Sequence, residues 1–211
     1  MSTTAHIRRA QSEDSPAIAA LHRRHIPWGL LSQLGEGFVT AFYAALIRSP
    51  VGFVFVAEQG GRLLGLASGV VRWRRFYWEF LLHHPWPALA VLAASFRQDR
   101  WRHLLKTSRY ATAGSLPSAE VVSIALEPDA RGTGLGGELM RPILGEFAAR
   151  GVNTVRVTFA KRNVGATILY EQLGFRFHSQ VEMHAGQPSV VYVISLPPAF
   201  LNRSTSSPAA S

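Results

Sequence analysis

The sequence predicts an α/β fold of the mixed α+β kind: a central mixed β-sheet flanked by helices, with a helical insertion. Three observations predict it. Segments with strand and helix signatures alternate along the chain, and a β-hairpin precedes a strand, glycine loop and helix at 120–150. With 211 residues, 47% hydrophobic and 17% charged, the chain can bury one sizeable core, and no break in composition divides it. The expected organisation is one domain over 1–196, an insertion at 72–118 and a disordered tail at 197–211.

Residues 6–10 read as a short strand. Ser12 and Asp14 offer helix caps, and Pro16 fits a first helical turn. Ile18, Leu21, His22 and His25 then fall at helical spacing. After a break at 27–29, Leu34, Phe38, Phe42, Ala45 and Leu46 mark a second amphipathic helix, which Ser49 and Pro50 end. FVFVAE at 53–58, the turn glycines Gly60 and Gly61, and LLGLASGVV at 63–71 form the hairpin. VVSIAL at 121–126 is a strand whose nearly unbroken apolar run implies burial on both faces. A helix over 134–150 opens on glycines and stops at Gly151. Inside it, Pro142 removes a backbone donor and should bend it. A strand at 155–159, a helix at 166–173 closed by Gly174, and a strand at 190–196 complete the order.

Of the formal net charge of +9, the segment 72–109 carries +6, with eight Lys or Arg against the two acids Glu79 and Asp99. A nucleic-acid binder spreads its cations over a whole face, so that class is set aside. The segment reads either as a solvated basic face or as an attractor of anions: cofactor phosphates, an acidic carrier protein or anionic lipid. The absence of cysteine excludes disulfides and thiolate metal sites, and a cytoplasmic address is expected. Residues 1–9 lack the apolar run of a secretory signal. The histidines show no ligand spacing, so His22, His25, His83 and His84 read as packing or solvent residues and no metal is expected.

The informative stretch is EVVSIALEPDARGTGLGG at 120–137. Its glycines allow unusual backbone angles and close approach to a ligand. The helix that follows presents unpaired N–H groups and the positive end of its dipole. Together they make a cradle for phosphate oxygens. A Walker loop would need a Lys here, and a Rossmann fingerprint would sit on an early strand.

With this stretch the chain resembles the GNAT superfamily of N-acetyltransferases, whose signature is Arg/Gln-x-x-Gly-x-Gly/Ala after a strand. Arg131, Gly134 and Gly136 match its fixed positions, and NVGATILYEQLGF at 163–175 matches the family's later Asn-x-x-Ala-x-x-x-Tyr-x-x-x-Gly-Phe element. The resemblance covers 6–71 and 119–196. It implies that acetyl-CoA is the co-substrate and that Gly132, Thr133, Gly134, Leu135 and Gly136 hold its diphosphate through backbone amides. Ile124, Ala125 and Leu126 would line the pantetheine arm, with an amide near Leu126 stabilising the oxyanion. Arg131 would pair with phosphate or lie on the surface, and Asn163 would bond the arm or cap its helix. Tyr170 is implied as the general acid for the thiolate, against a purely packing role. Glu120 stands where some relatives keep a catalytic glutamate that takes the amine's proton, against an ordinary strand-end acid.

The insertion 72–118 departs from the family pattern. Its uncharged run, 80–96, has 17 residues, short of the roughly 20 that span a bilayer. It reads as a helical hairpin lying on the sheet and walling the acceptor pocket; the alternatives are a homodimer contact, an acyl-carrier contact or a peripheral membrane element through 72–110. The expected function is transfer of an acetyl group from acetyl-CoA to a primary amine on a small molecule, directly within a ternary complex. An acyltransferase for longer acyl-CoA or acyl carrier protein and a non-catalytic acyl-CoA-binding regulator are the alternatives.

Overall fold

A computed structural model of the chain describes residues 5–83, 116–184 and 187–196. The strands are β1 His6–Arg9, β2 Gly52–Gln59, β3 Arg62–Val70, β4 Ala119–Leu126, β5 Thr154–Ala160, β6 Arg176–His184 and β7 Gln187–Ser195. The helices are α1 Ser15–His25, α2 Leu30–Gln33, α3 Glu36–Arg48, α4 Trp73–His83, α5 Leu135–Ala149 and α6 Val164–Gln172. Among the described residues the strands form one sheet in the order β1-β2-β3-β4-β5-β7-β6. All neighbours are antiparallel except β4 and β5, which run parallel. The mixed α/β expectation is borne out.

Apolar periodicity decides which face each helix covers. On one side, Leu139, Ile143 and Phe147 of α5 recur at helical spacing and pack on Phe53, Val121 and Val155. On the other, Ile18 and Leu21 of α1 and Val39, Phe42 and Leu46 of α3 cover Val54, Val56 and Leu66. Side chains of this kind contribute about 1.5–3 kcal/mol each when fully buried. Helix α5 runs through Pro142 without interruption.

Two elements go beyond the sequence reading, the single helical turn α2 after the break at 27–29 and strand β6. Strand β6 adds an edge to the sheet through β7, with irregular register at Phe177/Ser179. Of the expected hairpin in the insertion, α4 is described; residues 84–115 and the expected tail at 197–211 lie outside the described residues. Helix α4 packs on α3, with Phe76 and Phe80 against Phe42 at 5.3 and 5.8 Å between ring centroids. Its other face leaves Tyr77, Trp78 and Leu82 exposed.

One local irregularity shapes the centre of the sheet. Ser68 pairs with Ser123, but Gly69 pairs with Val121, so Val122 is an extra residue bulged out of β4. A bulge increases local twist and bends its strand. Beyond it β4 leaves β5: the parallel pairing covers Ala119–Val121 alone, although both strands continue. A wedge therefore opens between Val122–Leu126 and Thr158–Ala160.

Candidate active site

At the wide end of this wedge the chain makes a short helical turn over Pro128–Ala130 and then enters the glycine loop. Gly132 and Gly134 take φ of +75° and +92°, a region that L side chains rarely adopt, and a Cβ on either would meet no atom within 4 Å. Open space therefore faces the loop. Thr133 Oγ1 donates to the carbonyl of Ala130 at 2.8 Å and accepts from the amide of Leu135 at 3.4 Å, which pins the turn. Among the described residues, the amides of Gly132, Thr133, Gly134 and Gly136 have no backbone acceptor. Such donors ahead of a helix dipole suit a phosphate group, and the loop thus fits the diphosphate expected of it. Leu126 and Leu169 both approach Gly136, within 3.4–3.5 Å of an ideal Cβ there, so the ends of β4, α5 and α6 converge. Ile124 and Leu126 pack toward the α5 side and Ala125 toward the α1 side, and beyond Val121 the β5-facing edge of β4 has no strand partner among the described residues.

The two residues expected to handle protons lie on different elements. Tyr170, on α6, is buried between Phe159, in the part of β5 that has left β4, and Phe175, each 5.2 Å away between ring centroids. Burial pushes its phenol well above the usual tyrosine range. Its hydroxyl makes no hydrogen bond to any described residue. Asn163 caps α6, its Oδ1 accepting from the amide of Ala166 at 3.1 Å. Glu120 opens β4 directly across from Arg156 of β5. Its Oε2 accepts from Arg156 Nη2 at 2.8 Å, and Oε1 from Thr158 Oγ1 at 3.3 Å.

Arg131 turns back from the loop: Nε donates to the carbonyl of Leu126 at 3.1 Å and Nη2 to Nδ1 of His25 at 2.9 Å. His25 also meets Glu127, which is only 7% exposed and accepts a further bond from Arg24 at 2.7 Å. The histidines are thus more engaged than their spacing suggests. His22 Nδ1 lies 2.7 Å from the hydroxyl of Tyr43, which lies 2.8 Å from Ser123 Oγ, which in turn lies 2.7 Å from Ser68 Oγ. This buried string ends at the β4 bulge. Above the wedge, Trp28 of the α1–α2 loop meets Arg162 of the β5–α6 loop in a cation–π contact of 5.8 Å. Glu127, Arg156 and Tyr43 were not singled out from the sequence, because their partners are remote in the chain. Among the described residues no three His, Asp or Glu side chains are grouped to hold a metal ion, and no helix is long and apolar enough to cross a membrane.

The family model described as "Acetyltransferase (GNAT) family" matches residues 19–175. Mycothiol acetyltransferase of Thermobispora bispora is 36% identical over 73 residues, 35% of this chain and 25% of that one. The [ribosomal protein bS18]-alanine N-acetyltransferase of Escherichia coli K12 is 38% identical over 60 residues, 28% of this chain and 40% of that one. These alignments thus span less than half of either relative. In fold, the chain is similar to yncA of Salmonella typhimurium, solved with its cofactor acetyl-CoA: TM-score 0.61, 19% identity, 92% of this chain and 95% of that one. With the matched segment spanning most of the sheet, the wedge and the glycine loop, the chain belongs to the acetyltransferase (GNAT) family.

Proposed function

We propose that the protein transfers an acetyl group from acetyl-CoA to a primary amine, directly and within a ternary complex. The observation that carries this reading is the wedge itself: β4 and β5 part beside a loop in which, among the described residues, the amides of Gly132, Thr133, Gly134 and Gly136 have no backbone acceptor and Gly132 and Gly134 face open space. Bound there, acetyl-CoA supplies the acyl group as a thioester. The amides of Gly132–Gly136 hold the diphosphate, and the free edge of β4 at Ile124–Leu126 aligns the arm and polarises the carbonyl. Glu120, oriented and kept company by Arg156, receives the amine's proton through water. Tyr170, whose raised pKa keeps its proton at neutral pH, gives it to the departing sulfur. No cysteine is present to carry the acyl group, which favours direct transfer.

One matched relative is named for mycothiol and the other for an alanine of ribosomal protein bS18, so the acceptor panel should hold both small amines and a peptide with an N-terminal alanine. The test is calorimetry with coenzyme A and acetyl-CoA, followed by acetyl transfer to that panel. Binding of both cofactors and acetylation of an amine is the expected result. No heat of binding at millimolar ligand would remove the reading.

A further inference from the structure

We propose that His25 is a positioning residue for the phosphate-binding loop, one that holds Arg131 in its neutral form alone and so makes coenzyme A binding depend on pH. This role presupposes the acetyl-CoA site proposed above.

Donor and acceptor chemistry decides the protonation state of His25. Arg131 Nη2 stands 2.9 Å from His25 Nδ1, and a guanidinium nitrogen can only donate. Nδ1 must therefore be the lone-pair nitrogen. The ring's one proton then sits on Nε2, which donates to Glu127 Oε2 at 2.9 Å. Both ring nitrogens are committed, and the neutral Nε2–H tautomer is the form that satisfies both contacts.

A second proton, on Nδ1, would set an N–H against the Arg131 N–H and a positive ring against a guanidinium. The bond to Glu127 survives that change; the bond to Arg131 does not. Arg131 would keep one anchor, the carbonyl of Leu126. That matters because Arg131 immediately precedes Gly132, where the free amides begin. Held at Leu126 and at His25, it ties the loop's entry both to the end of β4 and to the end of α1. Losing one tie loosens a set of donors whose value lies in being pre-arranged.

The charged groups around His25 among the described residues are Glu127, Arg131, Arg24, 2.7 Å from Glu127, and Arg62, 3.9 Å from it. A cleft of about 410 Å³ lined in part by Arg24, Arg62 and Glu127 gives solvent a route to the cluster.

The test is calorimetric titration of coenzyme A into wild type, His25→Gln and His25→Leu at pH 7.5 and pH 5.5, with thermal unfolding of each protein recorded at both values. Glutamine offers an amide N–H to Glu127 and a carbonyl to Arg131 but does not titrate. Any pH dependence of the ligand's own phosphates is common to all three proteins and cancels. Wild type should bind about three- to tenfold more weakly at pH 5.5 than His25→Gln does, the range one net hydrogen bond spans. The two should bind alike at pH 7.5, and His25→Leu should be weakened at both values. A His25→Gln protein with the wild-type pH dependence, or a wild type that tightens relative to it in acid, would overturn the proposal. Absence of binding by folded wild type at both values would instead overturn the acetyl-CoA site itself, a distinct result.

Discussion

Glu120 and Arg156 face each other at the middle of the three paired positions of β4 and β5, with Glu120 Oε2 accepting from both Nε and Nη2 of Arg156 at 3.1 and 2.8 Å. Arg156 is 4% exposed, so the carboxylate meets a nearly dry cation at the narrow end of the wedge. The pair and Thr158 Oγ1 orient the Glu120 carboxylate, and their hydrogen bonds occupy lone pairs that a proton would need. Glu120→Gln should therefore lower kcat/KM by roughly 10- to 100-fold, at or below the usual range for general bases. Steady-state kinetics with the identified amine checks this; an unaltered pH–rate profile and rate would remove Glu120 from proton transfer.

Tyr170 has aromatic neighbours and, among the described residues, no polar partner, so removing its hydroxyl leaves the packing in place. Tyr170→Phe should lower kcat about 10²- to 10⁴-fold and leave acetyl-CoA affinity and the unfolding midpoint near wild type. A mutant with wild-type turnover would assign the residue to packing alone.

Gly134 at φ +92° has space for a methyl group but not the backbone freedom for one. Gly134→Ala should cost about 1–2 kcal/mol of stability from the left-handed conformation. It should also weaken coenzyme A binding severely, since the methyl enters the space the loop amides face. Gly145→Ala, in mid-helix with open space, should add up to about 1 kcal/mol and leave binding unaltered. Calorimetry and denaturant unfolding on the two proteins separate the effects.

His22 is 3% exposed, and burial lowers its pKa to about 4. A depressed folded-state pKa means that the unfolded chain binds the proton first. Stability is therefore complete above the ordinary imidazole value of about 6.5 and declines as pH falls from there through about 4. The full loss is about 3 kcal/mol. Urea unfolding of wild type between pH 7 and pH 4 should show this fall, and His22→Gln should flatten most of it.

Much of the fold was legible because it is written in short-range signals. The β4–loop–α5 unit follows from an apolar strand, glycines at the turn and helical periodicity after it. Asp14 and Pro16 mark the start of α1 as expected, and Gly60 and Gly61 turn the hairpin. Strand β6 escaped, although Phe177, Ser179 and Val181 alternate with Arg176, His178 and Gln180. It is an edge strand, its Phe177 lies 58% exposed, and so the alternation carries few apolar residues. In the candidate site, the glycine loop was readable and the polar clusters were not. His25 meets partners 102 and 106 positions away, and Tyr43 meets Ser123 80 positions away.

What the sequence determines alone is local: where φ must turn positive, which faces are apolar, and where a helix begins with bare amides. These follow from sterics and periodicity within a few residues. What only the tertiary structure decides is which polar groups meet. Once β4, α1 and the loop are packed together, each buried donor or acceptor must find a partner or lose its hydration without return. The partner is whatever the fold has brought within about 3 Å. Thus Arg131 ends on His25, Glu120 on Arg156 and His22 on Tyr43.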